Sequence, residues 1–272
     1  MTLLTVDALQ VQLAGKTCVA DLSLDVQAGE LLALIGPNGA GKSTVLRAIA
    51  QLLPYSGQVF MQGQNLATLA SEQRARQLAY LSQGDQVAWP LTVQNFVALG
   101  RLPYRRRLGA QANTAADQQA IAQALAAMHL QDFAQRRLDQ LSGGERARAR
   151  LARALAVQAP LLLADEPVAA LDPFHQLSVM EMLRAQCRQG RTVVLVLHDL
   201  TLASRFCDRV LLLQQGRAVA CGAPRQVLSA RHLQQVYQVQ AMHGEHDNQG
   251  YVLPWACERA GSAESRAASR AE

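Results

Sequence analysis

Eight consecutive residues, Gly36-Pro37-Asn38-Gly39-Ala40-Gly41-Lys42-Ser43, carry the clearest chemistry in the chain. Their spacing fits G-x-x-x-x-G-K-[ST], a loop that wraps an anion. Glycines let the backbone turn tightly and aim successive N–H groups inward. Lys42 adds a point charge within reach of β- and γ-phosphates, and Ser43 offers a hydroxyl to Mg²⁺. Thr44 follows and joins the same phosphate-facing set. The plain alternative is a glycine-rich turn without function. A Lys-Ser pair behind a short apolar strand speaks against it.

Two other stretches bear chemistry. Leu161-Leu162-Leu163-Ala164 is an apolar run that reads as a buried strand, and it ends at Asp165-Glu166. An Asp so placed holds the Mg²⁺ shell in P-loop enzymes. A carboxylate one residue further can orient and deprotonate an attacking water. The alternative for this pair is mere capping of a strand end. Upstream, Leu141-Ser142-Gly143-Gly144-Glu145 opens a helix. Ser142 and Glu145 have capping-box spacing, which alone makes this a helix start. The backbone N–H groups of Gly143 and Gly144 also make it a second place to meet a γ-phosphate.

These residues need elements to position them. Leu31 to Ile35 is short and wholly apolar, a buried strand that delivers the chain to the glycine loop. Thr44 to Leu52 has helical spacing, so a helix N-terminus faces the anion. Before them, Leu9, Val11, Leu13 and then Leu22, Leu24, Val26 alternate with polar residues, predicting a half-buried antiparallel sheet. Gln58 to Met61, Leu78 to Ser82 and Thr192 to Leu197 read as further strands, the last two ending at Gln83 and His198. Val210 to Gln214 and Ala218 to Cys221 read as a pair around Gly216. Phe174 to Arg188 is a helix closed by Gly190. Between residues 84 and 158 the pattern is mostly helical, a lobe inserted between strands. It includes a helix ending near Gly100, a basic loop from Arg101 to Arg107, and helices from Thr114 to His129 and from Glu145 to about Val157. The fold class is α/β.

The chain has 272 residues, 50% hydrophobic and 17% charged, which suffices for a sizeable core. The N-terminus lacks the basic start and apolar block of a secretory signal. No apolar run is long enough to span a bilayer, so a soluble or peripheral protein is expected. Cys18, Cys187, Cys207, Cys221 and Cys257 are scattered without metal-like pairing, which suits a reducing cytoplasm. The net charge of +5 permits acidic partners such as nucleic acid or anionic lipid and selects none of them.

Taken together, the three stretches resemble the ABC ATPase family. Walker A is matched by Gly36 to Ser43, Walker B by Leu161 to Asp165, and the signature by Leu141 to Glu145. The catalytic glutamate falls on Glu166, the Q-loop on Gln83, the D-loop on Ala170-Leu171-Asp172 and the switch histidine on His198. The resemblance covers roughly residues 3 to 240. It implies a P-loop NTPase (RecA-like) core with an N-terminal antiparallel β subdomain and an inserted α-helical signature subdomain. On this basis 1–240 is the ATPase domain, with 1–83 and 159–240 as nucleotide-binding core and 84–158 as the insert. Residues 241–272 are a C-terminal extension whose polar end, from Ala260, is expected to be disordered.

The resemblance further implies ATP and Mg²⁺ as cofactors. Ser43, Gln83 and Asp165 would surround the metal. Gln83, Ser142, Gly143, Gly144 and Asp172 would join the glycine loop around the nucleotide. Glu166 and His198 would be catalytic, His198 holding the γ-phosphate and the attacking water. Two cassettes would bind head to tail, so that the Walker A of one and the signature of the other clasp each ATP. Leu13 departs from the family, which usually has an adenine-stacking aromatic there. Pro167-Val168-Ala169-Ala170 departs from the usual Thr-Ser-Ala after the proline but keeps small residues.

Trp89-Pro90-Leu91-Thr92-Val93, Ala98 to Tyr104 and His198 to Arg209 are similar to the branch that imports metal chelates: ferric siderophores, haem and cobalamin. That implies permease subunits, a periplasmic binding protein reached through them, no nucleic acid, and a place on the cytoplasmic face of the bacterial inner membrane. The competing reading is a soluble ABC ATPase of nucleic-acid metabolism or translation. Such proteins usually carry paired cassettes or a long coiled coil, and no sustained heptads occur here. Arg105-Arg106-Arg107 reads as a solvated face rather than a lipid or permease contact. His243-Gly244-Glu245-His246-Asp247 reads as a flexible polar tail rather than a metal site.

Overall fold

The computed structural model describes residues 1–84, 90–104 and 114–257. Trp89, the run Arg105 to Arg107 and the tail from Ala260 lie outside the described residues. The chain opens with β1 (Thr2–Leu13), β2 (Lys16–Gln27) and β3 (Leu31–Ile35), then passes through the glycine loop into α1 (Lys42–Ile49). β4 (Ser56–Met61), β5 (Gln64–Asn65), α2 (Ser71–Gln77) and β6 (Leu78–Leu81) follow. Three helices come next, α3 (Val93–Ala98), α4 (Ala115–Ala127) and α5 (Gly143–Ala156), before β7 (Leu161–Ala164). The second half holds α6 (Pro173–Arg188), β8 (Thr192–Val196), α7 (Leu200–Phe206), β9 (Arg209–Gln214) and β10 (Arg217–Gly222). It ends in α8 (Pro224–Val227), α9 (Ala230–Tyr237), β11 (Val239–His246) and β12 (Gln249–Cys257).

Among the described residues, one sheet has the order β10-β9-β3-β8-β7-β6 and another the order β2-β1-β4-β5. β3 lies between β8 and β9, both parallel to it, and all five of its residues are buried. A strand covered on both faces reads as a continuous apolar run, as here, rather than as an alternation. Leu31, Ala33 and Ile35 face one apolar layer, built with α5, α6 and α7. Leu32 and Leu34 face the other, built with β1, β2 and α1. Each fully buried leucine contributes about 1.5–3 kcal/mol, so the central strand is firmly held.

This topology sets where chemistry can occur. The glycine loop follows β3, Gln83 follows β6, Asp165 follows β7 and His198 follows β8. All four strands are parallel, so their C-terminal ends share one edge. Ligands of open α/β sheets bind beyond that edge.

The structure corrects two sequence expectations. The first half of the expected basic loop is a 3₁₀ turn, Leu99–Tyr104, and Arg101 is only 4% exposed. Its Nε donates to Asp117 Oδ1 at 2.8 Å and its Nη1 to the Ala156 carbonyl at 2.8 Å, while its guanidinium lies 3.8 Å from the centre of the Tyr104 ring. A paired, hydrogen-bonded and stacked guanidinium can be buried, whereas a lone one cannot. The second correction concerns His243 to Asp247, which is a strand and turn rather than a flexible tail. β11 pairs with β12 from Val239–Cys257 to His246–Gln249. Asp247 and Asn248 take positive φ values of 50° and 59°, the signature of a two-residue hairpin turn. The hairpin is tied to α7, where Thr201 Oγ1 donates to the Val252 carbonyl at 2.7 Å.

Candidate active site

The glycine loop is shaped by what packs against it. Gly41 has φ +99°, and a Cβ there would meet the Cys18 carbonyl at 2.7 Å. Gly36 would bring a Cβ within 2.2 Å of the Leu213 carbonyl. Only glycine fits both positions, because β2 and β9 press directly on the loop. Lys42 and Ser43 begin α1, so the first turn's unbonded N–H groups and the positive helix end face the space the loop encloses. Lys42 is buried, and its Nζ donates to the carbonyls of Gly36 at 2.8 Å and Pro37 at 3.0 Å. Burial pushes its pKa below the ordinary lysine value, and the nearby Glu166 and Asp165 carboxylates partly restore it. Pro37 is half-buried and Asn38 and Gly39 are exposed, while Ala40 is buried and Thr44 half-buried.

Asp165 is 1% exposed, and each of its carboxylate oxygens accepts a hydrogen bond. Ser43 Oγ donates to Oδ1 at 2.8 Å, and the Tyr80 hydroxyl donates to Oδ2 at 3.3 Å. Burial raises the Tyr80 pKa, and a hydrogen bond with Arg47 opposes the rise. Ser43 and Asp165 thus set two hard oxygens side by side, and Gln83, which carries a further amide oxygen, follows β6 at the same edge. An all-oxygen set of this kind fits Mg²⁺.

Glu166 lies one residue on, with its backbone in the left-handed region at φ +52°. That conformation costs a non-glycine residue roughly 1–2 kcal/mol and aims the side chain back over the sheet edge. Gln83 Nε2 donates to Glu166 Oε2 at 2.6 Å, and His198 Nε2 lies 2.7 Å from Oε1. Arg150 of α5 donates to the carbonyl of Ser82, next to Gln83. The arrangement therefore brings Lys42, Ser43, Gln83, Asp165, Glu166 and His198 together.

Ser142, Gly143, Gly144 and Asp172 are not part of that cluster. Among the described residues, no hydrogen bond joins them to the glycine loop. Ser142 caps α5 with a full capping box: Glu145 N–H donates to Ser142 Oγ at 3.2 Å, and Ser142 N–H to Glu145 Oε2 at 2.7 Å. That bond from the Ser142 backbone holds the Glu145 pKa down. Asp172 caps α6, and the His175 backbone N–H lowers its pKa in the same way. Ser142 and Gly143 are exposed at an N–H-rich helix end. A cavity of about 620 Å³ opens beside them, lined by Gly84, Gly143, Arg150, Glu166 and Ala170. Leu13, at the end of β1, is 36% exposed.

Sequence reasoning missed Tyr80 and His175. Tyr80 lies three residues before Gln83 on a strand beside β7, a register that aims it at Asp165. His175 lies three residues after Asp172, the spacing of a helix cap.

A glycine loop on a helix N-terminus, a Ser–Asp oxygen pair and an adjoining carboxylate at the ends of parallel strands define a P-loop nucleotide hydrolase. A profile of the ABC transporter family matches residues 19–169, and the chain belongs to that family. It is similar to the hemin import ATP-binding protein HmuV of Streptomyces coelicolor, with 42% identity covering 90% of this chain and 86% of that one. It is also similar to HmuV of Pseudomonas fluorescens Pf0-1, with 39% identity over 90% of this chain and 96% of the relative. The cobalamin import ATP-binding protein BtuD of Halobacterium salinarum is 41% identical over 83% of this chain and 56% of its own length. The ADP conformation of MJ1267, an ATP-binding cassette of an ABC transporter, superposes with a TM-score of 0.78 at 21% identity. That match covers 87% of this chain and 98% of that one.

Proposed function

We propose that this chain is the ATP-hydrolysing subunit of a membrane importer whose cargo is a metal chelate. Haem is the cargo its relatives favour, with cobalamin and ferric siderophores in the same class. The observation that carries the hydrolytic part is Glu166, clasped between Gln83 and His198 beside the Ser43–Asp165 pair. The cargo class rests on relatives that match over most of the chain and act in hemin and cobalamin import.

The chemistry follows from the side chains. The glycine-loop N–H groups and Lys42 bind the β- and γ-phosphates of ATP. Ser43, Asp165 and Gln83 would hold Mg²⁺, which when bound neutralises phosphate charge. Glu166 takes the proton of the attacking water, and His198 orients the water and the γ-phosphate. Both Glu166 oxygens are engaged in this form, so one must be released before it can act as base. Gln83 is the arm that lets go. It sits where β6 leaves for the helical lobe, and Arg150 of that lobe grips the neighbouring carbonyl. A permease that shifts the lobe would free Glu166.

The second γ-phosphate contact comes from Ser142, Gly143 and Gly144 of another copy. Gly143 is open, since a Cβ there would meet nothing within 4 Å. Its N–H-rich helix end faces outward, as a site completed by a partner requires. The partners are a second copy of this chain, head to tail, permease subunits, and a periplasmic binding protein reached through them. Its place is peripheral, on the cytoplasmic face of the bacterial inner membrane. Among the described residues, no helix is long and apolar enough to cross a membrane.

Co-expression with the permease encoded beside it, followed by proteoliposome assays, tests the proposal. Hydrolysis should rise when binding protein loaded with haem is added, and less so with other chelates. Robust hydrolysis by a chain that associates with no multi-span membrane protein would overturn it.

A further inference from the structure

The signature loop and the Asp172 loop begin different helices, α5 and α6, yet one side chain touches both. The His175 ring fills the space where a side chain at residue 144 would sit. A Cβ on Gly144 would lie 2.1 Å from His175 Cδ2 and 2.6 Å from both Cγ and Nε2. Backbone conformation does not demand glycine there, because no left-handed φ occurs at Gly144. Glycine is needed because the ring edge seats directly on the Gly144 backbone. Gly143, one residue earlier, has open space instead.

The other edge of the same ring is fixed. His175 Nδ1 lies 2.9 Å from Asp172 Oδ1 and 2.8 Å from Oδ2, and the His175 backbone N–H donates to Oδ1 at 2.9 Å. The Phe174 ring stands edge-on to the imidazole, with centroids 5.3 Å apart. The imidazole is therefore held on one side by a carboxylate and pressed on the other against the glycine of the signature helix. Rigid rings between two carboxylate contacts and a backbone seat leave little freedom for either loop to move alone.

We propose that His175 is a positioning residue that locks the Ser142–Gly144 loop to the Asp172 loop, so that both face a second copy of this chain as one rigid surface. The inference rests on the head-to-tail reading above. Among the described residues, no hydrogen bond, ion pair or ring contact joins His175 to the Lys42–Glu166 cluster. Its loss should weaken association of two copies around ATP and leave nucleotide binding within one chain intact.

The test uses the full chain carrying Glu166→Gln, so that bound ATP persists. Sedimentation velocity gives the ATP concentration at which half the protein is dimeric, and ADP titration reads binding to the single chain. The parent should dimerise with ATP. Adding His175→Ala should raise the half-dimer ATP concentration about tenfold, within the range for residues in direct contact. The ADP affinity should not change. His175→Asn keeps a donor toward Asp172 but has no ring edge for Gly144, so it should behave like the alanine variant and serve if that variant does not fold. Parent-like dimerisation by either folded variant would overturn the inference. So would a parallel loss of ADP affinity, which marks a general lesion. A parent that stays monomeric with ATP would instead refute the head-to-tail reading, and this inference with it.

Discussion

The loop from Gly36 to Ser43 is enclosed by its own chain. β2 and β9 press on its glycines, its lysine is buried, and its serine is bonded to Asp165. The loop from Ser142 to Gly144 is built on the same helix-start physics and is left open. Its cap is satisfied, Ser142 and Gly143 are exposed, and its firm tie is to His175 rather than to the nucleotide cluster. A loop complete in one chain can bind phosphate alone. A loop that is rigid but outward-facing is suited to a phosphate presented by something else. On the proposed function, the contrast fits nucleotide binding by the first loop and completion of a second copy's site by the other.

Glu166 is bonded within the first loop's cluster and lines one cavity with Gly143 of the second. Glu166→Gln should slow hydrolysis by a factor on the order of 10²–10⁴ while ATP binding persists, as phosphate release and nucleotide titration would show. Near-normal turnover would remove Glu166 from the role of base. Lys42→Ala and Ser142→Arg then separate the loops. Each should reduce hydrolysis by about 10²–10³, the range for losing a preorganised charge contact or donor. Only Lys42→Ala should weaken ADP binding to the single chain, and equal losses in both variants would dissolve the contrast.

A smaller effect concerns the lobe that carries the open loop. Arg101 holds the Asp117 carboxyl below its ordinary value of 3.8. A carboxylate whose pKa is depressed by folding adds stability above that ordinary value and loses it as pH falls through the folded value. Hydrogen exchange in α4 should therefore rise below about pH 4, before exchange in α1 does. Asp117→Asn should flatten that acid limb and cost about 1.5–3 kcal/mol of stability at neutral pH by removing a charged hydrogen bond. An unchanged acid limb would contradict the brace. The smallest expected change is at Leu13, which lacks a π-face for adenine. Leu13→Tyr should tighten ATP by about 0.5–1.5 kcal/mol if the ring stacks. Weaker binding would place the base elsewhere.

The enclosed loop was more legible in the sequence than the open one. Gly36 to Ser43, the apolar strand ahead of it and Asp165-Glu166 announce their chemistry by residue type and spacing. The capping box at Ser142 and Glu145 was legible for the same reason, since it is local. What was hidden depended on distant pairing. Arg101 reads as one more arginine in a basic run until Asp117, sixteen residues away, is folded against it. His243 to Asp247 reads as polar tail because its strand has no fully buried side chain, and its order comes from the Asp247-Asn248 turn and from docking on α7. Tyr80 and His175 act through contacts with Asp165 and Gly144 that no short-range pattern encodes.

On the proposed function, one chain holds ATP and a second completes the site. Its most direct test is the hydrolysis rate per chain as protein concentration is raised with ATP and Mg²⁺, with the mass of the species followed in the same samples. The rate per chain should climb with concentration in step with the dimer fraction and be negligible where only single chains are present. Full, concentration-independent hydrolysis by a species with the mass of a single chain would contradict it.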